Sequence, residues 1–230
     1  MRQKPSFTKV ASVAGRSRAL LNSLKPTRGT ITTQSYLRLE KQLGTQSSVN
    51  FDVLNNQGSQ TVTEKRLAIT DSFVISAVSI MFYEVTANTP ARIAESTLHT
   101  WPDANVFTGA GAPAALQAFY NSFLSIRVNS TVYLDSLDIY RHYRVGVAQQ
   151  GVETTTTPSS YLRSQWDGGD YGFYSLTPSI ELSGATKNEI SVQLPNNVTV
   201  TPGTVGGAVY AVCYLRGFLR QNNAQFNARS

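Results

Sequence analysis

The sequence contains, at residues 73–85, the run FVISAVSIMFYEV, which is its longest nearly continuous apolar stretch. A short run of β-branched and aromatic residues predicts a strand that is covered on both faces. Ser76, Ser79 and Glu84 interrupt the run, and it falls short of the roughly 20 apolar residues that a membrane-spanning helix needs. Residues 208–219 have the same composition. We therefore expect two central strands in a buried β structure.

Shorter segments of the same kind surround these two runs and are separated by Gly, Asn, Pro and Ser. Such punctuation is typical of strands joined by turns. The candidate strands are residues 30–39, 49–54, 123–128, 131–134 and 139–147. Together with the strands considered next, they predict about eight to ten strands, a number found in sandwiches and jelly rolls.

Residues 180–182 and 190–194 show apolar and polar side chains in alternation, and residues 184–188 between them suit a tight loop. This pattern predicts a β-hairpin. Pro113, followed by an alanine-rich stretch as far as Phe119, predicts one short helix with proline in its first turn. Strands and helices do not alternate, so we expect an all-β antiparallel sandwich with one short helix.

Charge divides the chain into a basic arm, residues 1–39, and a body, residues 40–230. The arm has eight Lys and Arg and no acid, whereas the body carries a net charge of −2. The glycines and prolines of the arm indicate that it is flexible. A flexible basic segment suits an anionic partner, either nucleic acid or membrane. A solubilising tail is the alternative. The apolar spacing within the arm also permits a short amphipathic helix, which either forms on contact with a partner or packs its apolar side under the body. The candidate binding residues are Arg2, Lys4, Lys9, Arg16, Arg18, Lys25 and Arg28.

Side chains for catalysis are sparse. His99 and His142 are the only histidines, and neither has a partner at metal-ligand spacing. Cys213, the only cysteine, lies in an apolar strand pattern and is expected to be buried and unreactive. Asp135 and Asp138, three residues apart, are expected to form salt bridges. We expect no enzymatic activity, no metal and no cofactor.

Two long connections, residues 86–111 and 148–172, exceed what hairpins need. Trp101, Trp166, Tyr171 and Phe173 lie in or beside them. Tyr, Trp and Phe are enriched in protein interfaces, which makes these residues candidates for subunit contact. A platform that stacks on sugars or bases is the alternative interpretation.

A basic arm joined to a β-sandwich with long aromatic loops resembles the coat proteins of icosahedral viruses. Residues 124–141 are also similar to stretches of bacteriophage capsid proteins. The resemblance implies a single jelly-roll shell domain at 40–230, a self-assembling subunit located in the virion, and contacts with copies of itself and with other virion proteins. It also implies an arm that faces the genome, an internal membrane or neighbouring subunits. A virion accessory protein (spike, vertex or decoration) and a carbohydrate-binding sandwich module are the alternatives.

Overall fold

The structure is a computed structural model that describes residues 30–144 and 172–222. This part of the chain contains eight strands, two α-helices and one 3-10 helix. The strands are β1 (Thr30–Gln42), β2 (Thr45–Phe51), β3 (Ser72–Val85), β4 (Phe123–Val128), β5 (Thr131–Asp138), β6 (Tyr174–Ser183), β7 (Asn188–Thr199) and β8 (Ala208–Asn222). The helices are α1 (Pro90–Glu95), α2 (Ala112–Tyr120) and the 3-10 helix Ile139–His142.

The strands form two four-stranded antiparallel sheets. The first sheet has the order β1-β8-β3-β6 and the second has the order β2-β7-β4-β5. Their facing side chains belong to one buried apolar cluster, so the two sheets are the layers of a β-sandwich. The expected all-β antiparallel sandwich is confirmed.

The core lies between the sheets and is built by alternation along each strand. On β3, Ile80 and Phe82 point into it, and on β4 Leu124 and Ile126 do so from the other sheet. Helix α2 covers one end of this core, where the ring of Phe119 meets the ring of Phe82 edge-on at 5.0 Å. Edge-to-face contacts of this kind add to the free energy gained by burial.

A second apolar cluster lies on the opposite face of the first sheet. Met81 and Tyr83 of β3 and Val212 of β8 belong to it, and Ile93 of α1 packs against them. Both faces of β3 and β8 are therefore covered, which explains why their sequences are nearly continuously apolar. The prediction of two central, doubly covered strands is confirmed.

The predicted hairpin at residues 180–194 is wrong in its pairing, although both of its strands exist. β6 pairs with β3 in the first sheet, whereas β7 pairs with β2 and β4 in the second. The tight loop therefore crosses from one sheet to the other. Gly184 lies so close to the backbone of residues 68–69 that a Cβ at this position would be 2.1 Å from the carbonyl oxygen of Ala68. Alternation indicates which face of a strand is buried and leaves its neighbour undetermined.

Three further expectations need correction. Residues 139–142 of the strand expected at 139–147 form the 3-10 helix, which the Asp138 carboxylate caps by accepting from the backbone N–H of Tyr140. Helix α1 was not predicted and is present in addition to the one expected helix, α2. Residues 30–39, counted with the arm by charge, lie in β1 and therefore belong to the sandwich.

Gly217→Ala should destabilise the first sheet, because a Cβ at Gly217 would lie 1.8 Å from the backbone oxygen of Val74. We expect a loss of about 1–3 kcal/mol in the free energy of unfolding, the usual cost of overpacking. Guanidinium denaturation measures it. Gly44→Ala is the matched control, since its nearest neighbour would be 3.9 Å away. Equal losses in the two variants would contradict the close approach of β8 to β3.

Candidate interaction surface

Of the residues predicted to contact an anionic partner, a subunit or a ligand, Trp101 and Phe173 belong to the part of the chain that the structure describes. The others lie outside the described residues: Arg2, Lys4, Lys9, Arg16, Arg18, Lys25, Arg28, Trp166 and Tyr171. The structure therefore gives the surroundings of two of the aromatic candidates.

Phe173 is buried and belongs to the second apolar cluster. The guanidinium carbon of Arg216 lies 3.7 Å from its ring centroid, and the ring of Tyr214 meets it edge-on at 5.5 Å. Trp101 is partly exposed, and its ring packs edge-on against His99 at 6.0 Å. Phe173 thus packs against its own chain, and of the two residues only Trp101 is partly exposed.

Cys213 and His142, which carry the thiol and imidazole groups considered in the sequence, are both enclosed by the fold. Cys213 is fully buried in the core, and burial raises the pKa of its thiol. His142 is also fully buried, and burial lowers the pKa of its imidazole despite the Gly172 carbonyl 2.8 Å from Nδ1. Because a carbonyl oxygen only accepts, Nδ1 carries the hydrogen and donates it. The expectation of a buried Cys213 is confirmed.

Glu40 and Glu64 form a buried polar network that sequence analysis missed. Each Glu40 carboxylate oxygen accepts two hydrogen bonds: Oε1 from Arg38 Nε (2.5 Å) and Thr63 Oγ1 (2.7 Å). Oε2 accepts from Thr61 Oγ1 (2.6 Å) and Tyr83 Oη (2.7 Å). All four acceptor positions of Glu40 are occupied, so this carboxylate is structural and has no free oxygen for catalysis.

Glu64 binds the loop before it to β1. Its Oε1 accepts from the backbone N–H of Glu40 at 2.9 Å, and its Oε2 accepts from Arg66 Nη2 and from the backbone N–H of Thr61, each at 2.8 Å. Arg66 Nη2 also donates to the Ser59 carbonyl at 2.8 Å. The network therefore fastens residues 59–66 over β1. In the sequence, Arg38 lies two residues before Glu40, and Arg66 lies two residues after Glu64. This spacing is visible without a structure, but only the fold brings the two pairs together.

The outer face of the second sheet has a polar depression of about 430 Å³. Ser125 and Ser191, opposite each other on β4 and β7, lie beside a wall of charged side chains. In that wall the Glu189 carboxylate lies 2.5 Å from Lys187 Nζ and 3.9 Å from Arg127 Nη1. The hydrogen bond from Lys187 lowers the pKa of Glu189. These exposed ion pairs are typical of an ordinary solvated sheet face.

A larger groove, of about 690 Å³, lies between the edge strands β5 and β6, where the sandwich is open. Leu134, Leu137, Leu176 and Ile180 are among its lining residues. At its rim, Tyr133 is 56% exposed, Val132 44% and Tyr174 36%. We call this surface, lined by residues 131–134, 137 and 174–180, the open edge. Large exposed apolar groups of this kind mark interaction sites.

The opposite side of the sandwich is closed by its own chain. Lys65 pairs with Arg38 of β1 through two backbone hydrogen bonds of 2.9 Å. Leu67 bonds in the same way with Val53 and Asn55, beyond the end of β2. Proteins generally cover or blunt the edges of their sheets, because an uncovered edge pairs with other chains. Among the described residues, the open edge is therefore the candidate interaction surface.

The described residues offer little else that binds a ligand. They contain no group of three or more His, Cys, Asp and Glu side chains suited to a metal ion. None of the helices at 30–144 and 172–222 is long and apolar enough to cross a membrane. No protein family model, curated protein or solved structure matches the chain. Its function is therefore inferred from its own geometry and charge.

Glu40→Ala should be strongly destabilising, because it leaves the buried Tyr83 hydroxyl and the half-buried Arg38 guanidinium without their acceptor. Removing one partner of a buried ion pair costs about 3–5 kcal/mol, and urea denaturation measures the loss. Glu95→Ala is the matched control, since Glu95 pairs with Arg92 on the exposed surface of α1. There we expect less than about 1 kcal/mol. A small loss at Glu40 would show that the network does not fasten the loop.

His142 should make folding sensitive to mild acid. Its folded pKa lies below the ordinary value of about 6.5, so the unfolded chain binds the proton more readily. Its contribution to stability is complete above about pH 6.5 and is lost as the pH falls below that value. His142→Gln, which keeps a donor for Gly172, should lose less stability than the wild type between about pH 7.5 and pH 5.5. Denaturation at the two pH values measures the loss of stability in each protein. An equal loss in the variant and the wild type would contradict this role of His142.

Proposed function

We propose that this chain is the self-assembling coat subunit of a virion. In this proposal the sandwich is a jelly-roll shell domain, and the basic arm faces a polyanion inside the shell. The observation that carries the proposal is the combination of nested strand pairing with an apolar edge to which no other strand at 30–144 or 172–222 pairs. The charge division between arm and body supports it independently.

The pairing of the strands supports a jelly roll. β1 pairs with β8, β2 with β7, β3 with β6 and β4 with β5. This nesting is what results when one long antiparallel ribbon is folded over on itself, and its eight strands form two sheets of four. Jelly rolls are double-sheet folds of eight strands, and they include viral capsid and lectin domains.

The open edge supports association with copies of the same chain. Tyr133, Val132 and Tyr174 are exposed along two edge strands that contain no Lys, the charged residue that most often protects an edge. Tyrosine is enriched and charge is depleted at the centres of protein interfaces. In a closed shell every subunit meets its neighbours through the same contacts, so one such surface is used many times.

The arm supports a polyanionic cargo. Residues 1–29 contain seven Lys and Arg and no acid, and the eighth cation of the predicted arm, Arg38, is bound to Glu40 in β1. Arms of many subunits that act on one polymer bind it far more tightly than a single arm does. Nucleic acid is the polyanion that we favour, because its phosphate density rewards many cationic contacts.

Assembly of the full chain tests this proposal. The purified protein is mixed with single-stranded RNA at low salt and examined by sedimentation and electron microscopy. We expect closed particles of uniform size that contain RNA. A protein that remains monomeric at high concentration, with and without RNA, would overturn the proposal.

Two matched triple variants test the role of the arm. Replacing Arg16, Arg18 and Lys25 by Gln should reduce the slope of log affinity for single-stranded RNA against log salt by about 2, or about 0.7 for each lost phosphate contact. Arg92, Arg127 and Lys187 are exposed cations of the body, and their replacement by Gln is the control. We expect no change in slope for the control. Equal changes in both triple variants would exclude a specific role for the arm.

A further inference from the structure

The open edge is lined by uncharged side chains, and acidic groups lie beside it on β5 and β6. Among residues 131–138 and 174–183, the ionisable groups besides tyrosines are Asp135, Asp138 and Glu181. Arg141 lies at one end, with its guanidinium carbon 4.9 Å from the ring centroid of Tyr174. A segment that combines apolar side chains with positive charge would complement this surface in both respects.

Residues 1–29 have that composition. They carry seven cations and no acid, and Phe7, Val10, Leu21 and Leu24 are interspersed among these charges. The described residues contain no comparable stretch that is both acid-free and this basic. Within this chain, the arm is therefore the best complement to the open edge.

The place where the arm joins the sandwich puts the groove within reach. In the first sheet, Thr32 pairs with Arg220, Arg220 with Ser72, and Ser72 with Ser183. This row runs from β1 to β6 across three strand spacings, or about 14 Å. An extended chain covers that distance in about five residues. More than 20 residues of the arm then remain to follow β6, whose ten residues span about 33 Å.

We propose that, before assembly, residues 1–29 occupy the open edge of their own chain and that a polyanion displaces them. The displacement rests on the proposed function, whereas the docking of the arm does not. The free subunit thereby covers its apolar edge with its own arm. Cargo binding uncovers that edge and makes it available to a second copy. Assembly is then coupled to the presence of the polyanion that the shell encloses.

Because the arm is covalently attached to the sandwich, it can occupy the open edge even if its intrinsic affinity for that surface is low. A tethered segment acts at an effective concentration in the millimolar range. The electrostatic part of the contact lies at the surface, so salt screens it within about 8 Å at physiological ionic strength. The same cations serve the groove and the polyanion, which makes the two modes of binding mutually exclusive.

Disulfide trapping tests the docking. Cys213, the only cysteine, is buried, so it contributes little to thiol oxidation. The test protein carries Leu21→Cys and Val132→Cys, and its control carries Leu21→Cys and Val62→Cys. Val62 and Val132 are both exposed, and Val62 lies on the closed side of the sandwich. Under mild oxidation at high dilution and low salt, we expect the disulfide within one chain to form about tenfold faster or more in the test protein.

Each outcome of this experiment decides between alternatives. Equal rates in the two proteins would overturn the docking, and a disulfide that links two chains at high dilution would overturn its occurrence within one chain. Added RNA should slow trapping to the rate of the control, and trapping that RNA leaves unchanged would overturn the displacement. Shell formation is measured separately. If particles form although the rates are equal, the docking alone fails, and if trapping succeeds but no particles form, the proposed function fails.

Discussion

The two-sided burial of β3 and β8 is the constraint on which the rest of the structure depends. Their inner side chains build the core between the sheets, and their outer side chains need a second cover. The ring of Tyr83 shows what that cover requires. It stacks on Tyr210 at 4.9 Å, and its hydroxyl group donates to Glu40. Leaving a buried phenol without an acceptor costs free energy, and the Glu40 carboxylate that accepts from it also holds Thr61 and Thr63 of the loop at residues 59–66.

This arrangement makes the two sides of the sandwich unequal. The loop that satisfies Glu40 also pairs with β1 and closes that side, whereas no segment at 30–144 or 172–222 pairs with the outer edge of β5 or β6. Exposed Val132 and Tyr133 lie on the side that remains open. An uncovered edge with apolar side chains favours association, so the proposed role in assembly follows from how the core is covered. The proposed docking of the arm gives the free subunit a temporary cover for the same surface.

The strands could be predicted where the burial of one or both faces produces a regular pattern of apolar residues in the sequence. The run at 73–85 and the run at 208–219 were recognised because apolar residues occupy both faces, and residues 123–128 match β4 without error. The hairpin at 180–194 failed because alternation is the same whether the next strand joins its own sheet or the opposite one. The strand expected at residue 139 failed because Asp138 caps a 3-10 turn, a local hydrogen bond that competes with strand pairing. The polar network was missed because its partners are 24 residues apart in the chain.

The sequence by itself determined the all-β class, the two central strands, the burial of Cys213 and the separation of a basic arm from a nearly neutral body. These properties depend on composition and on contacts along one strand, which neighbouring residues reveal. Tertiary structure alone decided which strands are neighbours, that Phe173 is buried, and that β5 and β6 are edge strands with a groove between them in the described part of the chain. These properties depend on pairs that are distant in the chain, and such pairs leave no periodic pattern in the sequence.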